Sequence, residues 1–522
     1  MTTHFDWIIV GSGFGGSVSA LRLAEKGHRV LVLEKGRRFS KDDFAKSNWD
    51  LPNWMWKPAL GMRGIFQMSF FRHITILHGV GVGGGSLTYA NTLPTPKDGF
   101  FEAESWAHLG DWKADLAPHY DTALRMLGAT QYPRTTLGDE VLSGIAEDVG
   151  RADSFEAARL GVFFGEAGEE VPDPYFDGEG PARTGCTDCG ACMTGCRVGA
   201  KNTLDRNYLH LAEGLGVEVR SGTEVVALRA VDGGGYRVET KAAYGPRNEQ
   251  AFTADKVILA AGVMGTMPLL LRMKEDPQGL PRLSDRLGKD VRTNSEALFG
   301  VVAPDPELDF SRGPAITSIL HTDDHSHIEP VRYAAGSGFF RTMALPLSPG
   351  SNAVTRVAGA AGMLLRSPWA WTRALTVGDW AKQSQVLLYM RTLEGTLTLK
   401  LGRDVFTGFR RGLVTELDDP ENPPQAFMPE AMELGERFAE KVGGVLMTLA
   451  PETLLGNPTT AHILGGCCMG TSEDDGVIDA NHAAFGYDGL YVIDGSAVSA
   501  NPGVNPSLTI TALAERAMAA IA

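Results

Sequence analysis

The segment Asp6-Trp-Ile-Ile-Val-Gly11-Ser-Gly-Phe-Gly-Gly16 decides the fold of this chain of 522 residues. Residues 6–10 predict a buried strand, the glycines a tight turn, and residues 17–26 a helix. Residues 29–33 predict a second strand, which ends at Glu34. A strand, a Gly-x-Gly-x-x-Gly turn, a helix, a strand and an acidic residue in this order are typical of a βαβ unit that binds a dinucleotide. The alternative is a structural glycine turn with a surface glutamate, but the complete set of features favours nucleotide binding.

Similar strands recur in the middle and at the end of the chain. Residues 256–260 and 490–494 each predict a buried parallel strand, and residues 217–229 and 236–241 predict a hairpin. A chain of this length exceeds one ordinary core. We therefore predict an α/β fold with a discontinuous cofactor domain (residues 1–100, 181–300 and 452–522) and a substrate domain (residues 101–180 and 301–451).

Composition excludes several classes of protein. The net charge is −15 and no block of lysine or arginine occurs, so we expect no nucleic-acid partner. No run of about 18 uncharged apolar residues is present, and no signal peptide precedes the first strand, so we expect a cytoplasmic protein. Contact with the inner membrane face remains open.

Two more segments indicate contact with the cofactor. Residues 79–86, Gly-Val-Gly-Val-Gly-Gly-Gly-Ser, are interleaved with apolar residues, which favours close approach to a ligand over a flexible loop. Near the C-terminus, Asn505 is placed to cap a helix whose first residue is Pro506. That helix is either an ordinary capped helix or one whose N-terminus points at the cofactor and stabilises negative charge there.

Together these segments resemble the glucose–methanol–choline oxidoreductase family, and within it the cholesterol-oxidase-like branch. The matching pieces lie in family order along the whole chain: Gly11–Glu34, His78–Thr92, Thr223–Val225, Val257–Thr266, His462–Gly466 and Tyr491–Arg516. The resemblance implies a two-domain FAD fold, with a Rossmann-like parallel sheet and a substrate domain whose antiparallel sheet lies over the flavin.

The resemblance also implies residue roles. His462 looks like the family histidine that handles the substrate hydroxyl proton, and Asn505 like the asparagine that holds the substrate oxygen. Because no histidine lies close to Thr88, where covalent members carry one, we expect non-covalent FAD. The expected cofactor-binding residues are Gly11, Gly13, Phe14, Gly15, Gly16, Glu34, Gly83, Gly85, Ser86, Asn91, Val225, Asp494 and Gly495.

A cysteine-rich segment predicts a second cofactor. Cys186, Cys189, Cys192 and Cys196 have the C-x2-C-x2-C-x3-C spacing of bacterial iron–sulfur ligands. The expectation is a 3Fe–4S or 4Fe–4S cluster; zinc and a metal-free loop are the alternatives.

Two apolar segments bear on the substrate. Residues 51–71 and 354–375 are rich in apolar and aromatic residues, and they fit either core packing or a hydrophobic access mouth against a membrane. The sequence therefore predicts an FAD-dependent dehydrogenase of a bulky hydrophobic alcohol (sterol-like, terpenoid or long-chain), which passes electrons through the cluster to an acceptor protein or quinone. The alternatives are an oxidase that uses O2 and, in another class, a flavin lyase or photodecarboxylase.

Overall fold

The computed structural model describes residues 3–393 and 395–521 of the chain. The α-helices are α1 (Phe14–Glu25), α2 (Leu51–Trp54), α3 (Asp98–Phe101), α4 (Trp112–Met126), α5 (Leu137–Asp148), α6 (Tyr208–Gly214), α7 (Val263–Glu275), α8 (Ala353–Arg366), α9 (Pro368–Leu375), α10 (Pro429–Val442), α11 (Ala450–Leu455) and α12 (Ser507–Ala520). No helix in these ranges combines the length and apolarity needed to cross a bilayer.

The strands fall into several sheets. In chain order they are β1 (Thr3–Val10), β2 (Val30–Leu33), β3 (Trp56–Lys57), β4 (Met62–Arg63), β5 (Phe66–Phe70), β6 (Thr75–Gly79), β7 (Ala129–Gln131), β8 (Phe155–Ala157), β9 (Arg159–Gly161), β10 (Glu170–Val171), β11 (Arg183–Thr184), β12 (Glu218–Arg220), β13 (Thr223–Ala230), β14 (Tyr236–Ala242), β15 (Glu249–Leu259), β16 (Val291–Arg292), β17 (Ala297–Val302), β18 (Ser318–His321), β19 (Ser326–Val331), β20 (Ala344–Pro346), β21 (Ser384–Arg391), β22 (Thr396–Gly402), β23 (Gly412–Leu417), β24 (Val445–Leu449), β25 (Thr459–Thr460) and β26 (Leu490–Val492).

The first large sheet contains the predicted nucleotide-binding unit. Its order is β12-β2-β1-β15-β14-β13, and β26 also pairs with β15. The pairs β1–β2, β1–β15, β2–β12 and β15–β26 are parallel, while the hairpin β13–β14 adds antiparallel strands at one edge. Strands β1 and β2 are apolar and mostly buried, as expected for parallel strands covered on both faces. The predicted βαβ unit and the recurring strands are therefore present, but the predicted hairpin strand 217–229 is divided into β12, which pairs with β2, and β13, which pairs with β14.

The second large sheet is antiparallel and has the order β20-β24-β17-β21-β19-β18-β8. Its strands come from residues 155–157 and 297–449, so most of it lies in the segments predicted to form the substrate domain. Helices α5 and α10 pack against it. The expected combination of a parallel and an antiparallel sheet is confirmed.

Helix α4 lies in the predicted substrate domain by its position in the sequence, but it packs into the core of the parallel sheet. It packs against the C-terminal helix α12, and its buried residues Trp112, Leu116 and Tyr120 share the hydrophobic core of the parallel sheet. The predicted boundary at residue 101 therefore does not coincide with a change of core. The domain limits themselves stay a prediction.

Candidate active site

A cavity of about 480 Å³ is lined by residues of both large sheets. One end is lined by the glycine turn after β1, by Glu34 and by Val225. The other end is lined by strands of the antiparallel sheet and by His462 and Asn505. This volume is in the usual range of small-molecule sites. The N- and C-terminal parts of the chain thus contribute to one site.

The carboxylate of Glu34 is held at the end of β2. The amide and hydroxyl of Ser12 donate to Oε2 of Glu34 at 3.1 and 2.8 Å, and the Gly36 amide donates to Oε1 at 2.7 Å. Since each carboxylate oxygen can accept more than one hydrogen bond, Glu34 can still accept from ribose hydroxyls. The glycine turn and the start of helix α1 lie beside it, where backbone amides are suited to bind a pyrophosphate.

At the other end of the chain, the turn after β26 is fixed by Asp494. Its Oδ2 accepts from the Gly262 amide at 2.8 Å and the Thr266 hydroxyl at 2.6 Å, and its Oδ1 accepts from the Ser496 amide at 2.8 Å. Burial raises the pKa of Asp494 above its usual range even with these hydrogen bonds. The network joins β26 to helix α7 and shapes the cavity wall at Gly495.

Asn505 does not cap helix α12, which corrects the sequence prediction. The helix begins at Ser507, Pro506 occupies the capping position, and no side chain caps it. Asn505 lines the cavity instead, and its Oδ1 atom is buried without a hydrogen-bond partner among the described residues. A buried polar atom without a partner is costly, so Asn505 is well placed to bind a polar group of a ligand.

His462 is oriented by a carboxylate that sequence reasoning missed. Its Nδ1 atom lies 2.8 Å from Oε2 of Glu296, whose side chain is completely buried. Oε1 of Glu296 accepts from the backbone amides of Ala461 and His462 at 2.6 and 3.2 Å. With Nδ1 occupied in this way, Nε2 is the ring nitrogen left for a ligand in the cavity.

The electrostatic surroundings make His462 a stronger base. Burial acts to lower the pKa of His462, but the adjacent Glu296 carboxylate and the more distant, buried Glu329 raise it above its usual value overall. Glu296 directly precedes β17, 166 residues before His462, and no local motif marks it. Neither glutamate could therefore be found from spacing.

Most of the expected cofactor-binding residues line the cavity. Those that do are Gly11, Gly13, Phe14, Gly15, Glu34, Gly85, Val225, Asp494 and Gly495. Gly16, Gly83, Ser86 and Asn91 do not line it. Ser86 instead donates to the Gly83 carbonyl and accepts from the Leu204 amide. Gly83 and Ser86 thus belong to a turn behind the cavity wall. That any of the predicted residues contacts the cofactor stays a prediction.

The structure brings the four predicted cysteines together but does not arrange them as a metal site. Cys186, Cys189, Cys192 and Cys196 line one small cavity and form no disulfide. Within the described ranges, however, no three His, Cys, Asp or Glu residues are arranged to hold a metal ion. Neither the iron–sulfur prediction nor the zinc alternative is therefore supported by the described residues.

The two apolar segments, residues 51–71 and 354–375, differ in the burial of their side chains. Trp54, Ile65 and Phe66 are buried in a hydrophobic cluster, so residues 51–71 contribute to a core, while Leu60 and Phe70 are exposed. In contrast, Leu365 and Trp369 in helices α8 and α9 are 81% and 80% exposed. The interpretation of residues 354–375 as a core helix is therefore wrong for their outer face.

The residues present fit FAD. The cavity is continuous from the βαβ glycine turn, where a pyrophosphate would lie, to the imidazole of His462. A carboxylate fixed at the end of β2 and a glycine-rich turn against helix α1 are the features that an adenine dinucleotide requires. The fold and the site thus define a flavin-dependent oxidoreductase.

Comparison with known proteins agrees with this class. The family model for FAD dependent oxidoreductase matches residues 6–324, and that for GMC oxidoreductase matches residues 436–514. A protein named cholesterol oxidase from Acinetobacter baumannii is 42% identical over 99% of this chain and 94% of its own length. A cholesterol oxidase from Mycobacterium tuberculosis is 44% identical over 99% and 91%. The crystal structure of a pyridoxine 4-oxidase from Mesorbium loti has a TM-score of 0.62 at 15% identity, covers 99% of both chains, and supports the fold alone.

The chain belongs to the GMC oxidoreductase family. It is an FAD-dependent oxidoreductase that acts on CH–OH donors, and the predicted family, fold class and flavin cofactor are confirmed.

Proposed function

We propose that this protein is an oxidase that converts a bulky hydrophobic alcohol of the sterol class to the ketone, with O2 as electron acceptor. FAD, which the glycine turns and Glu34 would hold without a covalent link, would supply the acceptor for the hydride of the alcohol carbon, and reoxidation by O2 would unite that hydrogen and the hydroxyl proton in hydrogen peroxide. The hydroxyl proton goes to the protein. The observation that carries this proposal is His462, fixed by Glu296 with its second nitrogen toward an apolar cavity.

The cavity wall near His462 favours an apolar substrate. It includes aromatic and aliphatic side chains from the antiparallel sheet and its loops: Phe299, Val302, Tyr333, Phe340, Trp380 and Met447. Binding an apolar ring system here removes apolar surface from water, which is worth roughly 25 cal/mol per Å². A sugar would lose hydrogen bonds to water on the same wall without replacement.

His462 is suited to take the hydroxyl proton. The Glu296 carboxylate binds Nδ1, so the neutral ring presents Nε2 as the acceptor. The same carboxylate stabilises the imidazolium that forms when Nε2 accepts the proton. Asn505 lines the same cavity, so its amide N–H can donate to the substrate oxygen and hold it beside the imidazole while the one hydroxyl proton goes to Nε2.

The choice of O2 rests on the relatives. Two full-length relatives above 40% identity are both named cholesterol oxidase, which favours the oxidase over the dehydrogenase predicted from the cysteines. The names also favour a sterol over a terpenoid or long-chain alcohol. A lyase or photodecarboxylase gains no support from them.

Helices α8 and α9, here called the helical hairpin, offer a route for such a substrate. Residues 351–378 contain no acidic residue and three arginines, of which Arg366 and Arg373 are exposed and Arg356 is buried, in a chain whose net charge is −15. The outer face exposes Val354, Leu365 and Trp369, while the inner residues Trp371 and Ala374 cluster with the cavity-lining Val302 and Met447.

An exposed apolar face with arginines at its edge is suited to lie in the surface of an anionic bilayer. We therefore include peripheral membrane contact through the helical hairpin in the proposal. It would place the cavity next to a membrane that holds the sterol.

The test is anaerobic and aerobic turnover of the flavin-loaded protein. In the dark and without O2, cholesterol should bleach the flavin absorbance. When O2 is then admitted, the absorbance should return and one hydrogen peroxide should form for each ketone. Glucose and methanol should do neither. Bleaching by a sugar alone, or reoxidation only by an added dye, would overturn the sterol or the oxidase assignment respectively.

A further inference from the structure

Four titratable side chains of the antiparallel sheet are left without a role by the proposed oxidation. Glu329 and His327 lie on β19, His321 lies on β18 and Glu156 lies on β8, and these are three neighbouring strands. Glutamate is almost never fully buried in a protein unless it is paired. The group therefore needs an explanation beyond the packing of the sheet.

The four side chains form one row across the strands. Nε2 of His327 lies 3.3 Å from Oε1 of Glu329. His321 stands directly opposite His327 in the strand pairing, and the centroids of the two rings are 5.8 Å apart. Nε2 of His321 lies 3.1 Å from Oε1 of Glu156. Neighbours in the row are thus spaced so that a proton can move directly or through one water.

The row runs from the interior of the protein to its surface. The side chains of Glu329 and His327 are 0% and 1% exposed, whereas those of His321 and Glu156 are 28% and 59% exposed. The hydrogen bond from His321 lowers the pKa of Glu156, and Arg159 acts in the same direction. The outer carboxylate is therefore ionised near neutral pH and can accept a proton. The row connects a buried carboxylate with bulk water.

The inner end of the row lies beside the His462–Glu296 pair. Burial lowers the pKa of His462, and the carboxylates of Glu296 and Glu329 raise it, so Glu329 is within electrostatic reach of the imidazole. Leu388, opposite Glu329 in the pairing of β19 with β21, lines the cavity, as does Val331 two residues along β19. Because side chains at these positions share one face of a sheet, Glu329 lies on the face directed toward the cavity.

Several polar atoms of the row are buried without a hydrogen-bond partner among the described residues. They are both carboxylate oxygens of Glu329, Nε2 of His327 and Nδ1 of His321. Such atoms are costly to bury unless they bind ordered water. A purely structural pair would be closed by direct hydrogen bonds. Waters between these groups would satisfy the atoms and complete a path for protons.

A path through the sheet has a use while a sterol or its ketone occupies the cavity. The cavity wall near His462 is apolar, so a bound ring system would exclude water from that side. The proton taken up by His462 would then have no route through the mouth until the product leaves. A second route lets the imidazole return to its neutral form earlier.

We propose that Glu329, His327, His321 and Glu156 form a proton relay between His462 and bulk water. The relay rests on the proposed function, in which the hydride of the alcohol carbon goes to the flavin and the hydroxyl proton to Nε2 of His462. The imidazolium then loses a proton through a bridging water to the Glu329 carboxylate, and the proton passes outward. When O2 is reduced, one proton returns by the same path and completes hydrogen peroxide, so each turnover is balanced.

The test records flavin bleaching and proton release together, by stopped flow without O2. Flavin-loaded protein is mixed with cholesterol in weak buffer at about pH 8 with a pH-indicator dye. Wild type should release one proton per flavin at the rate of bleaching. In His327→Gln, release should lag behind bleaching at least about tenfold, because a neutral amide does not take up a proton. His325→Gln, on the exposed turn between the same two strands, is the matched control and should behave like wild type.

His321→Gln repeats the test at a partly exposed position, where a substitution is less disruptive to folding. It should show the same lag, with flavin content and Tm close to wild type. Proton release that keeps pace with bleaching in both folded, flavin-loaded variants would overturn the relay. Equal slowing of bleaching and release would overturn it as well, because it would give the row a structural role only.

A wild-type flavin that cholesterol does not bleach would overturn the proposed function and not the relay. The relay is then tested on flavin reduced by light. Proton uptake during reoxidation by O2 should lag behind the return of flavin absorbance in His327→Gln and His321→Gln. Uptake in step with reoxidation in both variants would overturn the relay.

Discussion

Nδ1 of His462 lies 2.8 Å from Oε2 of Glu296, a carboxylate with no exposed side-chain surface. The pair joins the strand β17 of the antiparallel sheet to the segment that leads toward Gly495 and the cofactor end of the cavity. It fixes which imidazole nitrogen is free, and its charge sets how readily that nitrogen takes a proton. The function of His462 therefore depends on a residue that directly precedes β17, a strand of the antiparallel sheet.

Glu296→Gln should change the pH dependence of the reaction. Glu296 holds the pKa of His462 above its usual value, so the neutral amide should let that pKa fall. A base is active above its pKa, so the acid limb of kcat/KM should move to lower pH while the plateau rate drops at least about tenfold. The measurement is kcat/KM for cholesterol between pH 5 and 9.

The matched control is Glu452→Gln, another buried glutamate close to Glu296. Burial raises the pKa of Glu452 to about 8, so the neutral form prevails over the acid limb and the amide should preserve that limb. An unchanged acid limb in Glu296→Gln would contradict the assignment of that limb to His462.

His462→Gln should slow flavin reduction by about 10²–10⁴-fold, which is the usual worth of a general base. The flavin content should stay at the wild-type level, since the predicted cofactor contacts are at the glycine turns and Glu34. Stopped-flow bleaching under anaerobic conditions measures the step directly. Reduction at the wild-type rate would show that another group takes the hydroxyl proton.

Asn505→Ala should separate activity from stability. The Oδ1 atom of Asn505 has no partner among the described residues, so its removal should leave Tm unchanged or raise it. A lost hydrogen bond to the substrate, worth ~0.5–1.5 kcal/mol, should lower kcat/KM by up to about tenfold. Thermal unfolding and steady-state kinetics on one preparation check both. A marked fall in Tm would show that the side chain serves the fold.

The sequence predicts those parts of the site whose residues lie close together along the chain. The turn at Gly11 and the acid at Glu34 lie in one βαβ unit, so a short motif predicted both. Glu296 was missed because its contact with His462 exists only after two distant segments fold together. The role of Asn505 was misassigned as a cap because Asn-Pro before a helix is a common capping pattern, and only the start of α12 at Ser507 frees its side chain.

Gly13→Ala tests FAD binding without disturbing the fold. An alanine Cβ at Gly13 would lie no closer than 4.0 Å to other protein atoms, yet the residue lines the cavity at the presumed pyrophosphate site. We expect a Tm of the flavin-free protein close to wild type and an FAD Kd at least about tenfold higher, measured by fluorescence titration.

Substitutions at two other glycines are the controls for Gly13→Ala. A Cβ at Gly15 would lie 1.7 Å from the Ile493 carbonyl oxygen, so Gly15→Ala should prevent correct folding. Gly214 has open space around it, so Gly214→Ala should change neither property. Normal FAD affinity in Gly13→Ala would argue against a cofactor at this turn.

The helical hairpin should carry binding to anionic membranes. Replacing exposed Leu365 and Trp369 with glutamate removes two apolar groups from the bilayer surface and adds repulsion. Burial of one large apolar side chain is worth ~1.5–3 kcal/mol, so vesicle affinity should fall at least about tenfold. The measurement is sedimentation with phosphatidylglycerol-containing vesicles.

Val405→Glu is the control, because Val405 is also exposed, at 66%, but lies outside the hairpin. Turnover of detergent-dispersed cholesterol should be the same in all variants, and equal vesicle binding by the hairpin variant would show that this surface is not the membrane contact.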